Sequence, residues 1–235
     1  MSYFDVPVAQ AEASERSTYL QKVLTWTLGG LFVSGISSMA SVVILSGFHA
    51  LLSGYFPMII ILGCWAITNF VARPMVFGEA KIPGFLLGTM AQGVAMGYLL
   101  LAAMIISRMA QGNSLVLVGL ASGLTGFSAL GMASYTYIAR RNFSMIGAAL
   151  SALSIPMLIL MAVSFAFPAL LGGTAGLLMG AVFVVISAAS LLYQLNAVIH
   201  SFRTSMHIEG AYTITLGILV LFWNILSLMM RLNRR

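Results

Sequence analysis

Long apolar runs separated by short polar segments dominate the chain. None of these runs has an Asp, Glu, Lys or Arg in its interior, and each is long enough, as a helix rising about 1.5 Å per residue, to cross a hydrocarbon core of roughly 30 Å. The runs do not alternate with polar residues as barrel strands do. The pattern therefore predicts an all-α integral membrane protein, a seven-transmembrane-helix bundle with spans Val23–Ser46, Phe56–Ala72, Ile82–Ile106, Leu115–Ile138, Ile146–Phe167, Gly176–His200 and Gly210–Met230.

The polar segments divide the chain into three regions. Residues 1–22 form a predicted cytoplasmic N-terminal tail, 23–230 the transmembrane domain, and 231–235 a short basic C-terminal tail. Short connections make neighbouring helices antiparallel in one bundle. Small residues four positions apart allow helices to approach closely in lipid, and they occur at Gly30/Ser34/Ser38, Gly84/Gly88, Gly93/Gly97, Gly119/Gly123 and Gly172/Gly176/Gly180.

Composition agrees with a membrane location. Of the 235 residues, 60% are hydrophobic and 7% charged, whereas soluble domains carry roughly 25% charged residues. The net charge of +6 comes from basic residues that stand singly or in pairs, without the basic stripe that a nucleic-acid partner requires. Membrane lipids are the expected surroundings, and the charge is expected to set topology.

The distribution of Lys and Arg predicts the orientation. Seven lie on one side of the predicted bundle and four on the other, so the N-terminus is expected in the cytoplasm and the C-terminus outside. The first group is Arg16, Lys22, Arg73, Lys81, Arg140, Arg141 and Arg203, and the second is Arg108, Arg231, Arg234 and Arg235. The basic C-terminus leaves a second topology open, in which one span is re-entrant and both termini are cytoplasmic.

A few polar side chains lie within the spans. Ser187, Ser190 and Gln194 share one face of the sixth span by helical spacing, and Asn196 and His200 share a neighbouring face. Gln92 lies in the third span and Asn224 in the seventh. These residues form either a polar seam lining a cavity or ion path, or hydrogen bonds between helices.

The inventory of reactive side chains disfavours an enzyme. The three histidines, His49, His200 and His207, lack HExxH-type spacing. Cys64 is the only cysteine, which excludes an intrachain disulfide and a cysteine-based metal cluster. We therefore predict no catalytic residues, no metal site and no cofactor.

Three stretches of the chain are distinctive: YLQKVLTWTLGGLFVSGISS at 19–38, LLYQLNAVIH at 191–200 and AYTITLGILVLFWNILSLM at 211–229. They resemble the Bax inhibitor-1 family and its bacterial YccA-like branch, with Asn224 at the family's closing asparagine. The resemblance implies a central seventh helix and a bacterial inner-membrane location. It also implies either a pH-sensitive calcium leak through paired aspartates or modulation of an FtsH-type ATP-dependent membrane protease. The aspartate positions fall on Gln194 and Leu221, and neither residue titrates.

We therefore expect a non-enzymatic modulator of membrane-protein quality control, a partner or substrate of a membrane-bound ATP-dependent protease. A cation leak gated at Gln194 is the alternative. A small transporter is a third possibility, but the sequence lacks the internal repeats and broken helices typical of that class. The N-terminal tail, with Glu12, Glu15 and Arg16, is the predicted handle for a partner. Its alternative role is an amphipathic helix placing Tyr19 and Leu20 on the membrane surface. The oligomeric state is left open.

Overall fold

The described part of the chain is almost entirely helical. The computed structural model describes residues 7–139 and 173–233, together with positions 147 and 150. The long helices in these ranges are α1 (Ala13–Gly47), α2 (Phe56–Phe77), α3 (Lys81–Gln111), α4 (Val116–Ala139), α5 (Gly173–His200) and α6 (His207–Asn233). Within these ranges, six helices are long and apolar enough to cross a membrane. They correspond to all the predicted spans except the fifth, Ile146–Phe167, which lies outside the described residues apart from positions 147 and 150.

Helix α1 begins at Ala13 and not at Val23, so the predicted tail is helical over residues 13–22. These residues include good helix formers such as Ala, Glu, Arg, Leu and Gln. The helix has 35 residues and is about 52 Å long, which exceeds a hydrocarbon core of roughly 30 Å. A transmembrane helix thus continues into the polar region, where an apolar pattern alone does not reveal it.

Helix α2 ends at Phe77, five residues beyond the predicted Ala72. A π-helical segment spans Ile67–Ala72, directly before Arg73 and Pro74. Proline lacks an N–H and its ring interferes with the preceding turn, and a wider turn at this point lets the helix continue past it. The end of α2 beyond the π-helical segment packs against α3 and α6.

Helix α6 lies at the centre of the described bundle. It packs against α1, α3, α4 and α5 along its length and against the end of α2. Many of its side chains are buried, including Tyr212, Leu221 and Leu226. The central position that the resemblance implied for the last helix is therefore the one observed.

Helices α1 and α3 form the most extensive helix pair, and small residues line it. Gly93 lies directly against the Ser34 carbonyl oxygen and Gly97 against Ser41, while the Ser41 hydroxyl donates to the Val94 carbonyl at 3.1 Å. The predicted close approach is confirmed here and at Gly30, Gly84 and Gly88.

At Gly119 and Gly123 the predicted close contact is not made with the described helices, because an added Cβ would meet no described atom within 4 Å. Gly172 lies outside the described residues. Gly180 does pack, since a Cβ there would lie 3.2 Å from Leu228 Cδ1. Small-residue spacing thus favours close packing but does not by itself identify which face is packed.

Two opposite faces of the bundle can be defined from contacts between helix ends. At the first, which we call the N-terminal face, Val8 N–H donates to the Phe202 carbonyl at 2.9 Å, and Lys81 Nζ lies 2.7 Å from Glu209 Oε1. At the second, the C-terminal face, Gln111 Nε2 donates to Asn233 Oδ1 at 3.1 Å. The N-terminus of α1 and the C-terminus of α6 thus lie on opposite faces.

Candidate functional site

A polar cavity of about 290 Å³ lies between α2, α3, α5 and α6. The α5 wall carries Ser187, Ser190 and Gln194, and Gln92 reaches it from α3. The predicted α5 face is therefore real, and it meets the predicted polar residue of the third span. Four of the polar residues singled out from the sequence lie in one place.

The α6 wall is open at Gly217, and Gln194 occupies the space that a side chain there would fill. A Cβ at Gly217 would clash with Gln194 Oε1 and would lie 2.9 Å from Leu191 Cδ1. Gln194 Nε2 donates to Ser190 Oγ at 3.2 Å, whereas Gln194 Oε1 is buried without a hydrogen-bond partner among the described residues. The long amide and the glycine are sterically complementary.

The wall from α2 is held in place by Tyr212. Its hydroxyl donates to the Thr68 carbonyl at 3.0 Å, within the π-helical segment, and its ring lies in the notch left by Gly88 on α3. One side chain of the lining thus joins α2, α3 and α6. Thr68 also lines the cavity, and its own hydroxyl donates to the Cys64 carbonyl at 2.8 Å.

Arg73 gives the cavity its charge. It is the only Asp, Glu, Lys or Arg among the described residues that line the cavity, and its Cζ lies 6.0 Å from the centre of the Phe77 ring. Several hydroxyls of the lining already donate to main-chain carbonyls, among them Ser187 and Thr213. The remaining polar side chains are amides, one serine and the Trp65 indole, so the described lining is positive and contains no carboxylate.

A comparison with protein families adds the identity. A family model described as inhibitor of apoptosis-promoting Bax1 matches residues 16–235. The chain belongs to the Bax inhibitor-1 family. A comparison with curated proteins found no match. Family membership is consistent with the central last helix and with a multi-pass membrane protein.

The pair of positions implied by the Bax inhibitor-1 resemblance needs a correction. The resemblance paired Gln194 with Leu221, but Leu221 is 1% exposed and belongs to the hydrophobic core. It does not line the cavity, and the position on α6 that faces Gln194 is Gly217. The two α6 positions are one turn apart on the same side of the helix, so the sequence pattern alone did not separate them.

The other predicted polar residues lie elsewhere in this Bax inhibitor-1 bundle. Asn196 is buried, and its Oδ1 has no partner in the described part of the chain. His200 Nε2 lies 3.4 Å from the Thr136 carbonyl oxygen. Asn224 Nδ2 donates to the Val220 carbonyl of its own helix at 3.0 Å. These three residues do not line the cavity, so the predicted seam is shorter than the sequence suggested.

The predicted handle is largely folded. Glu12 and Glu15 are exposed at the start of α1, but the Arg16 guanidinium lies 5.1 Å from the centre of the Tyr137 ring. Tyr19 is 2% exposed and its hydroxyl donates to the Val198 carbonyl at 3.3 Å. The prediction of a free tail is therefore wrong for residues 7–22, and Tyr19 packs inside the bundle and not on the membrane surface.

Three features of the site were missed from the sequence. Arg73 was assigned only a topological role, and Gly217 no role. The ion pair between Lys81 and Glu209 was also missed, although Glu209 is the only acidic residue after Glu79. An isolated acid at the start of an apolar span is a signal for a buried charge with a partner, and it was available in the sequence.

Proposed function

We propose that this protein is a non-enzymatic, seven-span bundle that acts by contacting other membrane proteins, as a modulator or substrate of an FtsH-type ATP-dependent protease. The observation that carries the proposal is the chemistry of the cavity. Its described polar groups are a guanidinium, amides and hydroxyls that mostly donate to main-chain carbonyls. This set supplies neither a general base nor a carboxylate pair, and it favours a structural bundle over catalysis or acid-gated cation flow.

The proposal includes the predicted fifth span, Ile146–Phe167, which brings the number of spans to seven. Helix α4 ends on the N-terminal face, where Tyr137 lies under Arg16. Helix α5 begins on the C-terminal face, where Arg231 Nη1 donates to the Gly176 carbonyl at 3.2 Å. The chain between them must connect opposite faces, which supports a span at Ile146–Phe167. We place the protein in a bacterial inner membrane, on the YccA-like branch of the family.

Association with the protease is tested by cross-linked purification from native membranes. We expect the protease to co-purify with the full chain, and protein half-life to change when the protease is depleted. Glu12→Gln with Glu15→Gln removes the exposed handle charges and should lower co-purification. Glu79→Gln, an exposed acid outside the first helix, is the matched control. Absence of co-purification together with an unchanged half-life would contradict the proposal.

The alternative function, a pH-sensitive calcium leak, is tested in liposomes. We expect little acid-sensitive calcium flux from the natural chain, because its described lining has no carboxylate to attract a cation or share a proton. Gln194→Asp with Gly217→Asp places two acids face to face and should introduce pH dependence, whereas Gln194→Asp with Leu221→Asp should not. Strong acid-sensitive flux from the natural chain would favour the leak.

A further inference from the structure

Arg73 has no acidic partner among the described residues. The acids in the described ranges are Glu12, Glu15, Glu79 and Glu209, and none of them forms an ion pair with Arg73; Glu209 is bound to Lys81. The guanidinium contacts the Phe77 ring, which satisfies none of its five N–H donors. Arg73 lines the cavity, and its N–H groups make no hydrogen bond to the described part of the chain.

The cavity extends from Arg73 to further polar groups. Ser190 Oγ accepts a hydrogen bond from Gln194, so its own O–H can still donate. The Gln92 amide lines the same space and makes no hydrogen bond to the described residues. Guanidinium, hydroxyl and amide N–H groups thus point to one class of ligand, an oxyanion with several acceptor oxygens.

The shape of the cavity indicates where such a ligand enters. Helices α3 and α6 pack together behind it, while α2 and α5, which flank it, do not form a packed pair. The described cavity is therefore open sideways between α2 and α5. The exposed aromatic side chains of Trp65 and Phe77 stand on the α2 side of this opening.

We propose that the cavity binds a phosphate group at Arg73. The planar guanidinium pairs with phosphate through two parallel hydrogen bonds, and Ser190 and Gln92 are placed to receive the polar remainder of the ligand. Arg73 lies four residues before the end of α2 at Phe77, and the ends of transmembrane helices are where basic side chains meet the phosphates of phospholipids. A volume of about 290 Å³ accommodates a headgroup, with acyl chains left in the bilayer between α2 and α5. The phosphate can come from an anionic lipid or from free phosphate.

The test uses the full-length protein and two probes. Native mass spectrometry of protein released from nanodiscs of phosphatidylcholine and phosphatidylglycerol measures retained anionic lipid. In nanodiscs of phosphatidylcholine alone, titration with inorganic phosphate is followed by tryptophan fluorescence, because Trp65 lines the cavity. Retained phosphatidylglycerol identifies the lipid as the source, and a saturable fluorescence change identifies free phosphate.

The variants separate the site from general charge attraction. Arg73→Gln should weaken whichever response is seen by at least about tenfold, the change that loss of a charge-assisted hydrogen bond produces. Arg108→Gln removes an exposed arginine of the opposite face and should leave the response unchanged. Arg73→Lys keeps the positive charge but cannot form the two parallel hydrogen bonds, so it should bind with intermediate strength. Such binding would also show that a protein changed at this position still folds. Responses that are absent in the natural chain, or equal in natural and Arg73→Gln proteins, would overturn the proposal.

Discussion

Individual glycines, which have no side chain, determine how closely α1 and α3 pack. Gly93 touches the main chain of Ser34, and a Cβ there would also lie 2.8 Å from Ser37 Cβ. Lipid provides no hydrophobic effect between helices, so this contact stabilises the pair through close packing alone. The neighbouring main chain cannot rotate away as a flexible side chain could.

We expect Gly93→Ala to lower the stability of the protein by about 1–3 kcal/mol, the usual cost of overpacking. Gly29→Ala is the matched control, because a Cβ at Gly29 would meet nothing within 4 Å. Thermal unfolding in detergent measures both. Equal unfolding temperatures for the two variants would show that α1 and α3 can separate without cost.

A buried charge lies at the start of α6. Glu209 has a side chain only 3% exposed, and it pairs with Lys81, which is 37% exposed. Its second oxygen, Oε2, has no hydrogen-bond partner among the described residues. Loss of the lysine would leave the carboxylate buried without compensation, which is the costly case for an ion pair.

Lys81→Met is therefore expected to destabilise the protein by about 2 kcal/mol, less than for a fully buried pair because Lys81 is partly hydrated. Adding Glu209→Gln should recover most of that loss, since no unpaired charge then remains. A double-mutant cycle in detergent unfolding measures the coupling, with Glu79→Gln as the control on an exposed acid. Additive effects of the two changes would show that the pair is not coupled.

At the scale of elements, the sequence predicted where six helices lie but not how they end. Apolar length identifies a span, because the hydrocarbon core fixes a minimum number of residues. The ends depend on contacts with other elements: α1 continues through polar residues 13–22, and α2 continues to Phe77 through its π-helical segment. Apolar patterning carries no information about these contacts.

The segment before α1 illustrates such a contact. Val8 is 0% exposed, and its N–H donates to the Phe202 carbonyl at 2.9 Å, while Pro7 and Arg203 form an isolated antiparallel bridge. The segment is thus fastened to the connection between α5 and α6. Its neighbour Ala9 is exposed, so one side of the short turn is packed and the other faces away.

We expect Val8→Asp to release this segment, because a buried carboxylate replaces an apolar side chain whose burial contributes about 1.5 kcal/mol or more. Limited proteolysis of the purified protein should then cut before α1 more rapidly than in the natural chain. Ala9→Asp adds the same charge to the exposed side and should leave the cleavage rate unchanged. Equal cleavage of all three proteins would contradict the docked arrangement.

At the scale of the whole molecule, the cavity is assembled by helices distant in sequence. Helical spacing predicted the α5 wall, because Ser187, Ser190 and Gln194 share a face of one helix. The opposing wall depends on the rotation and depth of α2 and α6 around it, so Arg73 and Gly217 were not predicted. Those quantities are set by packing, chiefly by the Tyr212 contacts with Gly88 and Thr68.

The arrangement of the two faces bears on the predicted topology. The N-terminal face gathers the first helix end and the connections after α2 and α5, and these carry Arg16, Lys22, Arg73, Lys81 and Arg203. The C-terminal face gathers the ends of α3 and α6, with Arg108 and Arg231. The described charges thus favour the N-terminal face as cytoplasmic.

We therefore expect single cysteines at Ser2 and Glu79 to be labelled from the cytoplasm, and those at Asn113 and Arg235 from outside. Cys64→Ala provides the background, since Cys64 is the only native cysteine. The two internal positions test the faces independently of the termini, because Glu79 lies between α2 and α3 and Asn113 between α3 and α4. An impermeant maleimide applied to intact cells and to inverted vesicles distinguishes the sides. If Ser2 and Arg235 were labelled from the same side, one span would be re-entrant. The terminal arginines would then have set the orientation, and the orientation inferred from the Lys and Arg of the two faces would be wrong. Labelling of Glu79 and Asn113 from one side would instead contradict the passage of α3 across the membrane.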